Sequence, residues 1–249
     1  MLRLLCVTAH PDDEAGGFGG SLLLARERGI ETYIICLTPG QAARNRGGAD
    51  NDGELAAMRR REFAAACEHL HATRGFVLDY PDSRLDQQSL YQVCGDLARR
   101  IRQLKPQVVM SFGPEGSLTA HPDHSMAGIY ATMAFQWAAR PTRYPEQLQD
   151  GMKPWRAQKL YYRSSDFMLP ERPPIALSPV SARIEIGVER MERKIEAFKM
   201  HTSQGPLFSL FEGNARRHGT VERFHLAASV KPQEVRFEDD LFAGVEDEG

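Results

Sequence analysis

The chain has 249 residues, 42% hydrophobic, 26% charged and 8% aromatic, and 31 Lys+Arg against 33 Asp+Glu give a net charge of −2. That apolar share excludes a disordered chain, and the lack of a basic excess argues against nucleic acid as a partner. No run approaches the ~18 to 20 apolar residues that would span a bilayer, so no membrane insertion is expected.

Leu2–Thr8 is almost wholly apolar, as in a parallel strand covered on both faces, and it runs into a charged cluster with no small-residue cleavage site. A glycine-rich entry then leads to a helical stretch over Ser21–Arg28, which Gly29 can stop in the left-handed conformation. Glu31–Thr38 is a second β-branched run, and Glu54–Leu70 has helical periodicity through Leu55, Met58, Phe63, Ala66 and Cys67. Phe76–Tyr80 reads as a third strand, Ser89–Leu104 as a helix, Val108–Phe112 as a fourth strand and His124–Ala139 as a further helix. Strands alternating with helices mean right-handed βαβ units, hence a Rossmann-like three-layer α/β sandwich with a mostly parallel sheet. The second half is less regular, with seven of the fifteen prolines between Pro141 and Pro179; Leu160–Tyr162 reads as a fifth strand and Val188–Met200 as an amphipathic helix. One domain over residues 1–249 is expected, with a regular βα core to residue 140 and a proline-rich, pocket-shaping elaboration beyond it. Residues 231–249 carry seven acids against two bases and read as a solvated tail, although Phe237, Leu241 and Phe242 could pack on this subunit or on a neighbour in a homo-oligomer.

Two motifs follow strands. Ala9-His10-Pro11-Asp12-Asp13-Glu14 comes straight after the first, and His121-Pro122-Asp123-His124 after the fourth. Ligands in open α/β sheets bind beyond the carboxyl ends of strands where the strand order reverses, and in the order 3-2-1-4 strands one and four are neighbours at that reversal. The motifs would then face each other across one crevice. Either alone could merely cap a helix; together they make a site. His10, Asp13 and His124 offer two imidazoles and a carboxylate for a catalytic zinc, Asp12 is free as a general base, and His121 with Asp123 suits oxyanion stabilisation and protonation of a leaving amine. The four cysteines (Cys6, Cys36, Cys67, Cys94) form no CxxC, so no zinc knuckle or disulfide framework is indicated and a reduced cytoplasm fits.

The sequence resembles the LmbE-like (PIG-L) family of zinc-dependent N-deacetylases over roughly residues 4–210. The Ala-His-Pro-Asp-Asp-Glu signature stands intact at 9–14, and His-Pro-Asp-His follows Ser111-Phe112 and a Gly-Pro-Glu loop; Glu54-Leu55 with Arg59 and Glu62, Pro81-Asp82 and Ser203-Gln204 are weaker echoes. The resemblance implies zinc on His10, Asp13 and His124, Asp12 as base, and His121 as general acid or oxyanion stabiliser oriented by Asp123. It also implies substrate contacts from Arg59 and Asp82, and removal of acetyl from an N-acetylglucosamine-type conjugate as acetate. Where some relatives carry Tyr before the second motif, this chain has Thr119.

The Gly-rich loop of residues 39–53, with Arg44 and Arg46, reads as a lid over an anionic or sugar substituent or as a plain loop, and His201–Gln204 as pocket lining or a helix end. Three rival functions compete with this reading. A nucleotide-binding oxidoreductase fails on the glycine spacing of Gly17-Phe18-Gly19-Gly20-Ser21-Leu22 and on the acids at the turn. An iron(II) enzyme would use the same two histidines and carboxylate, and a non-catalytic carbohydrate-binding protein would need neither Asp12 nor His121.

Overall fold

The computed structural model describes residues 1–168, 175–231 and 236–247. Prolines 170, 173 and 174 of the proline-rich stretch and residues 232–235 and 248–249 of the tail lie outside the described residues. The first half builds β1 (Arg3–Thr8), α1 (Asp13–Glu27), β2 (Glu31–Cys36), α2 (Asp52–His69), β3 (Arg74–Val77), α3 (Leu90–Leu104), β4 (Val108–Phe112) and α4 (Pro122–Ala138). The second half adds α5 (Pro145–Gln149), β5 (Lys159–Arg163), β6 (Ala182–Glu185), α6 (Gly187–Lys199), α7 (Phe208–His218) and β7 (Val221–Ser229). A single 7-stranded sheet runs in the order β3-β2-β1-β4-β5-β7-β6. The five strands β1 to β5 pair in parallel and β7 runs antiparallel to β5 and β6. The expected α/β class and the 3-2-1-4 order are both present. β1 and β4 are neighbours in register, Cys6 opposite Met110, so their carboxyl ends open into one crevice.

β1 and β4 are buried on both faces, as continuous apolar runs in a doubly covered sheet should be. Phe18 and Leu22 of α1 pack beneath the sheet with Phe112 and Phe224, and Phe112 also reaches the crevice, where its ring lies against His124.

The helix expected to begin at Ser21 begins eight residues earlier, at Asp13, so the glycine-rich entry is itself helical. Glycine costs about 1 kcal/mol per position in a helix interior; close packing offsets that here. A Cβ on Gly20 would lie 2.1 Å from Ile186 Cδ1, and one on Gly19 would lie 3.2 Å from both Leu70 and Lys194. The glycines thus let α6 and β7 approach α1, and they expose backbone amides to a buried carboxylate. Glu222 accepts hydrogen bonds from Gly20 N (3.0 Å) and Ser21 N (2.8 Å) and pairs with Lys194 Nζ at 2.6 Å. Gly29, with φ 76°, follows the end of α1 in the left-handed conformation, as its position suggests.

The tail corrects the expectation of a solvated end. Leu241 and Phe242 are buried, Arg28 clasps Asp240 through Nη1 and Nη2 (2.6 and 3.0 Å), and Glu238 pairs with Lys159 Nζ at 2.6 Å and bonds Tyr161. Phe237 remains exposed. All four cysteines are buried and free, and no described helix is long and apolar enough to cross a membrane.

Candidate active site

Every residue of the two motifs leaves β1 or β4 at its carboxyl end. His10 lies in the turn after β1, Asp12 is the residue before α1, and Asp13 opens that helix. Across the crevice His121 precedes α4, with Pro122 at its first position and Asp123 and His124 in its first turn. Proline at this position lacks only an N–H that would be unsatisfied anyway, and its fixed φ aims the turn.

The three expected metal ligands meet. Asp13 Oδ1 lies 3.0 Å from His124 Nε2, and Asp13 Oδ2 lies 3.5 Å from His10 Nδ1. Asp13 Oδ2 also accepts from the backbone of His10 (2.8 Å) and Ala9 (3.2 Å), which fixes the carboxylate against the turn. Phe112 stacks on His124, with ring centroids 4.1 Å apart and planes 5° from parallel, while Thr119 Oγ1 sits 3.0 Å from His124 Nδ1. On the far side of His10, Nε2 faces two carboxylates, Asp82 Oδ1 at 3.1 Å and Asp123 Oδ2 at 3.3 Å. Metal-binding imidazoles characteristically give their second nitrogen to an oxygen, which selects the tautomer and orients the ring. Both histidines meet that requirement. Asp13, Asp82 and Asp123 set three carboxylates against His10 and His124, so the donor set and its charge fit a divalent cation. Ligand atoms of His10, His121 and His124, and those of His10, Asp82 and Asp123, also lie within 4.8 Å of one another.

Electrostatics follow from this crowding. Burial opposes charge on His10, yet hydrogen bonds to Asp123, Asp13 and Asp82 hold its imidazole well above the ordinary range. Burial likewise opposes ionisation of Asp13, but His124 and His10 keep it well below the usual carboxylate range. Burial pushes Asp12 up to about 6, against the pull of Arg59. Burial, with His10 and His124 nearby, moves His121 below an ordinary histidine. A bound divalent cation would favour the ionised carboxylates further and would reverse the preference of His10, holding its imidazole neutral.

Asp12 occupies a left-handed conformation, φ 119°, which costs a non-glycine residue about 1–3 kcal/mol and persists only where neighbours over-determine it. They do so on both sides. Its N–H donates to Glu14 Oε2 (3.0 Å), and Glu14 Oε1 meets His201 Nε2 at 2.6 Å. Below it, Arg59 Nη2 bonds both Pro11 O and Asp12 Oδ2, the latter at 3.0 Å.

Several expected roles take a different form. Asp123 does not turn its carboxylate to His121: it meets His10 and accepts from Ser83 N (2.6 Å) and Leu85 N (3.2 Å), while His121 Nδ1 accepts from the Asp123 backbone N–H at 3.2 Å. That bond places the ring proton of neutral His121 on Nε2. Arg59 and Asp82, expected to contact substrate, are only 2% and 6% exposed; Asp82 spans His10 and Ala42 N (2.8 Å). His201 is fully buried on Glu14 and does not line a pocket. Ser203 and Thr202 are held by Glu62 at 2.6 to 2.7 Å, and Gln204 meets Asn45 of the 39–53 loop at 3.4 Å. Trp137 packs under Arg143 beside Tyr144, and Trp155 donates to Pro106 O at 2.7 Å, so both serve packing. The sequence carried no signal for the Ser83 and Leu85 amides; Glu14 and Glu62 were legible only as residues of motifs.

Comparison with known proteins agrees with this geometry. The chain is 25% identical to mycothiol S-conjugate amidase of Streptomyces coelicolor over 99% of this chain and 98% of that protein. It is 28% identical to diacetylchitobiose deacetylase of Thermococcus kodakarensis, over 82% of this chain and 70% of the relative. Among solved structures, the conserved protein TT1542 of Thermus thermophilus superposes with a TM-score of 0.71 at 25% identity, covering 94% of this chain and 98% of the other. The model of the PIG-L family, GlcNAc-PI de-N-acetylase, matches residues 5–135, more than half of the chain and both motifs, and this protein is therefore a member of the PIG-L family.

Proposed function

We propose that this chain is a metal-dependent hydrolase that removes the N-acetyl group from an N-acetylglucosamine-type conjugate, releasing acetate and a primary amine. One observation carries the reading beyond family membership. Asp12, the residue immediately before Asp13, has one carboxylate oxygen held by Arg59 while Oδ1 makes no hydrogen bond among the described residues. A binding protein needs no such oxygen.

His10 Nδ1, Asp13 and His124 Nε2 would hold zinc, which when bound lowers the pKa of water and polarises a carbonyl oxygen. Asp12 Oδ1 takes the proton of the attacking water and returns it to the leaving nitrogen. His121 Nε2–H donates to the carbonyl oxygen as it gains charge, which is worth most in a site partly closed to water. Asp82 and Asp123 keep His10 in the tautomer that leaves Nδ1 free. Iron(II) suits the same donors. The four buried thiols fit a reducing cytoplasm.

The test is acetate release from a panel of N-acetylglucosamine conjugates by zinc-loaded protein, with metal content measured on each variant. About one zinc per chain is expected, lost in His124→Ala and retained in Asp12→Asn and His121→Ala. Asp12→Asn should lower turnover about 10²- to 10⁴-fold. A wild type that binds these sugars without releasing acetate would make it a binding protein, and activity only with iron would change the metal.

A further inference from the structure

Asp12 is the residue before α1, where an aspartate ordinarily has an extended backbone and accepts with its side chain from the N–H of the second or third helical residue. Asp12 makes no such bond, and its carboxylate meets Arg59 Nη2 instead, at 3.0 Å. Its left-handed backbone, φ 119°, departs from the extended form that capping uses. The helix end is served from the other direction. Glu14, in the first turn of α1, reaches back so that Oε2 accepts the Asp12 N–H at 3.0 Å, half of a capping box. Glu14 is fully buried, a place that a carboxylate takes only when partnered, and its Oε1 meets His201 Nε2 at 2.6 Å. The other ring nitrogen of His201, Nδ1, is buried with no partner among the described residues, so Glu14 is the polar contact that the ring makes there. The chain after His201 is fastened to α2. Glu62 accepts from Thr202 Oγ1 (2.7 Å), Ser203 N (2.6 Å) and Ser203 Oγ (2.7 Å).

We propose that Glu14 and His201 are positioning residues for Asp12: together they hold its backbone in the left-handed conformation, which keeps the carboxylate off the start of α1 and free for the attacking water. The inference rests on Asp12 being the base. Two neighbouring carboxylates then have separate supports. Asp13 Oδ2 is anchored by the amides of Ala9 and His10 (3.2 and 2.8 Å), bonds that do not pass through Glu14. The metal ligand should therefore keep its place when the base loses its own. Without Glu14 or its partner, the left-handed strain is no longer held, and Asp12 relaxes to an extended residue whose carboxylate caps α1.

Glu14→Ala, His201→Phe and His201→Gln test the inference on the zinc-loaded protein. A reacting group misplaced by about 1 Å costs about 10²-fold, so kcat should fall by that order in Glu14→Ala and His201→Phe, with KM near that of the wild type. His201→Gln, whose amide can still donate to Glu14, should retain more of kcat than His201→Phe. Zinc content should match the wild type in all of them, and its loss would overturn the inference by making the pair a support of the ligands. Should Glu14→Ala fail to fold, the His201 variants carry the test. A crystal structure of His201→Phe gives a readout independent of turnover: Asp12 should leave the left-handed region and turn its carboxylate to the amide of Glu14 or Ala15, while His10, Asp13 and His124 stay in place. An unmoved Asp12, or a kcat like that of the wild type, would overturn the inference. Failure of the wild type to release acetate would instead count against the deacetylase reading, with the crystal result still deciding the geometry.

Discussion

Replacing Asp123 by Asn separates two roles that this residue could play. Its Oδ2 accepts from Ser83 N at 2.6 Å and faces His10 Nε2 at 3.3 Å, and its Oδ1 accepts from Leu85 N at 3.2 Å. Asn offers one oxygen for these three donors. If that oxygen keeps Ser83 and His10, the amide NH2 confronts the Leu85 N–H, so the side chain must shift or lose a bond. His10 still has a second acceptor, Asp82 Oδ1 at 3.1 Å. Loss of an outer carboxylate on a ligating histidine typically weakens metal binding 10- to 100-fold. With the second acceptor in reserve, Asp123→Asn should sit at the lower end, about tenfold or ~1.4 kcal/mol. Asp82→Asn should cost about as much, and because the two share one N–H, the double variant should lose more than the sum, at least about 100-fold. Zinc affinity measured by competition with a chromophoric chelator reads this directly. A double variant that binds zinc like the wild type would refute the assignment of His10 as a ligand held by these carboxylates. Unchanged zinc affinity with a lower kcat in Asp123→Asn alone would return Asp123 to the role of orienting His121.

Three further outcomes follow from the packing. Glu222→Ala strands Lys194 and the Gly20 and Ser21 amides in the interior, and removing one partner of a buried pair costs about 3–5 kcal/mol; a loss below about 1 kcal/mol in urea unfolding would show that water reaches the pair. The pH dependence carries a sign: burial disfavours the Glu222 carboxylate, but Lys194 and Arg163 hold it below the ordinary glutamate range. Its contribution is therefore full above the unfolded carboxylate range and fades as pH falls through the lower folded value, so Glu222→Gln should flatten the acid limb of the stability curve; an unchanged limb would assign that slope to other carboxylates. Gly20→Ala gains about 1 kcal/mol of helix propensity but drives a Cβ to 2.1 Å from Ile186, for an overpacking cost of about 1–3 kcal/mol or more. It should lower the thermal midpoint, and a rise would mean that α6 moves freely.

The first half of the fold was legible because each strand is a short apolar run bounded by turn chemistry, and the adjacency of β1 and β4 follows from the common 3-2-1-4 order of doubly wound sheets. The second half was not. β6 is four residues long, and β7 alternates weakly because most of its nine positions are half-buried. Neither pattern distinguishes a strand from loop. The start of α1 is hidden in the sequence for a sharper reason: four glycines among five residues argue against a helix locally, and only the approach of Ile186 just before α6, Lys194 of α6 and Glu222 of β7 shows what the missing side chains permit.

The site divides along the same physical line. His10, Asp12, Asp13, His121, Asp123 and His124 were readable because two strand ends had to converge and because their donor atoms suit one ion. What each carboxylate faces was not readable, since that depends on rotamers and on backbone amides that any residue supplies. Asp123 illustrates the limit: its neighbour in sequence is His121, but its carboxylate is claimed by the amides of Ser83 and Leu85 and by a histidine 113 positions earlier. Arg59 and Asp82 show the converse. The family resemblance implies contact with substrate for both, but it does not indicate their partners within the chain, Asp12 and Gly40 for Arg59, His10 and Ala42 for Asp82. Both inward contacts end on the same short stretch after β2, so the segment that begins the 39–53 loop is linked to Asp12 through Arg59 at Gly40 and to His10 through Asp82 at Ala42. The geometry of the loop and that of the two motifs are therefore not independent, and a substitution at Gly40 or Ala42 would reach Asp12 or His10 through Arg59 or Asp82.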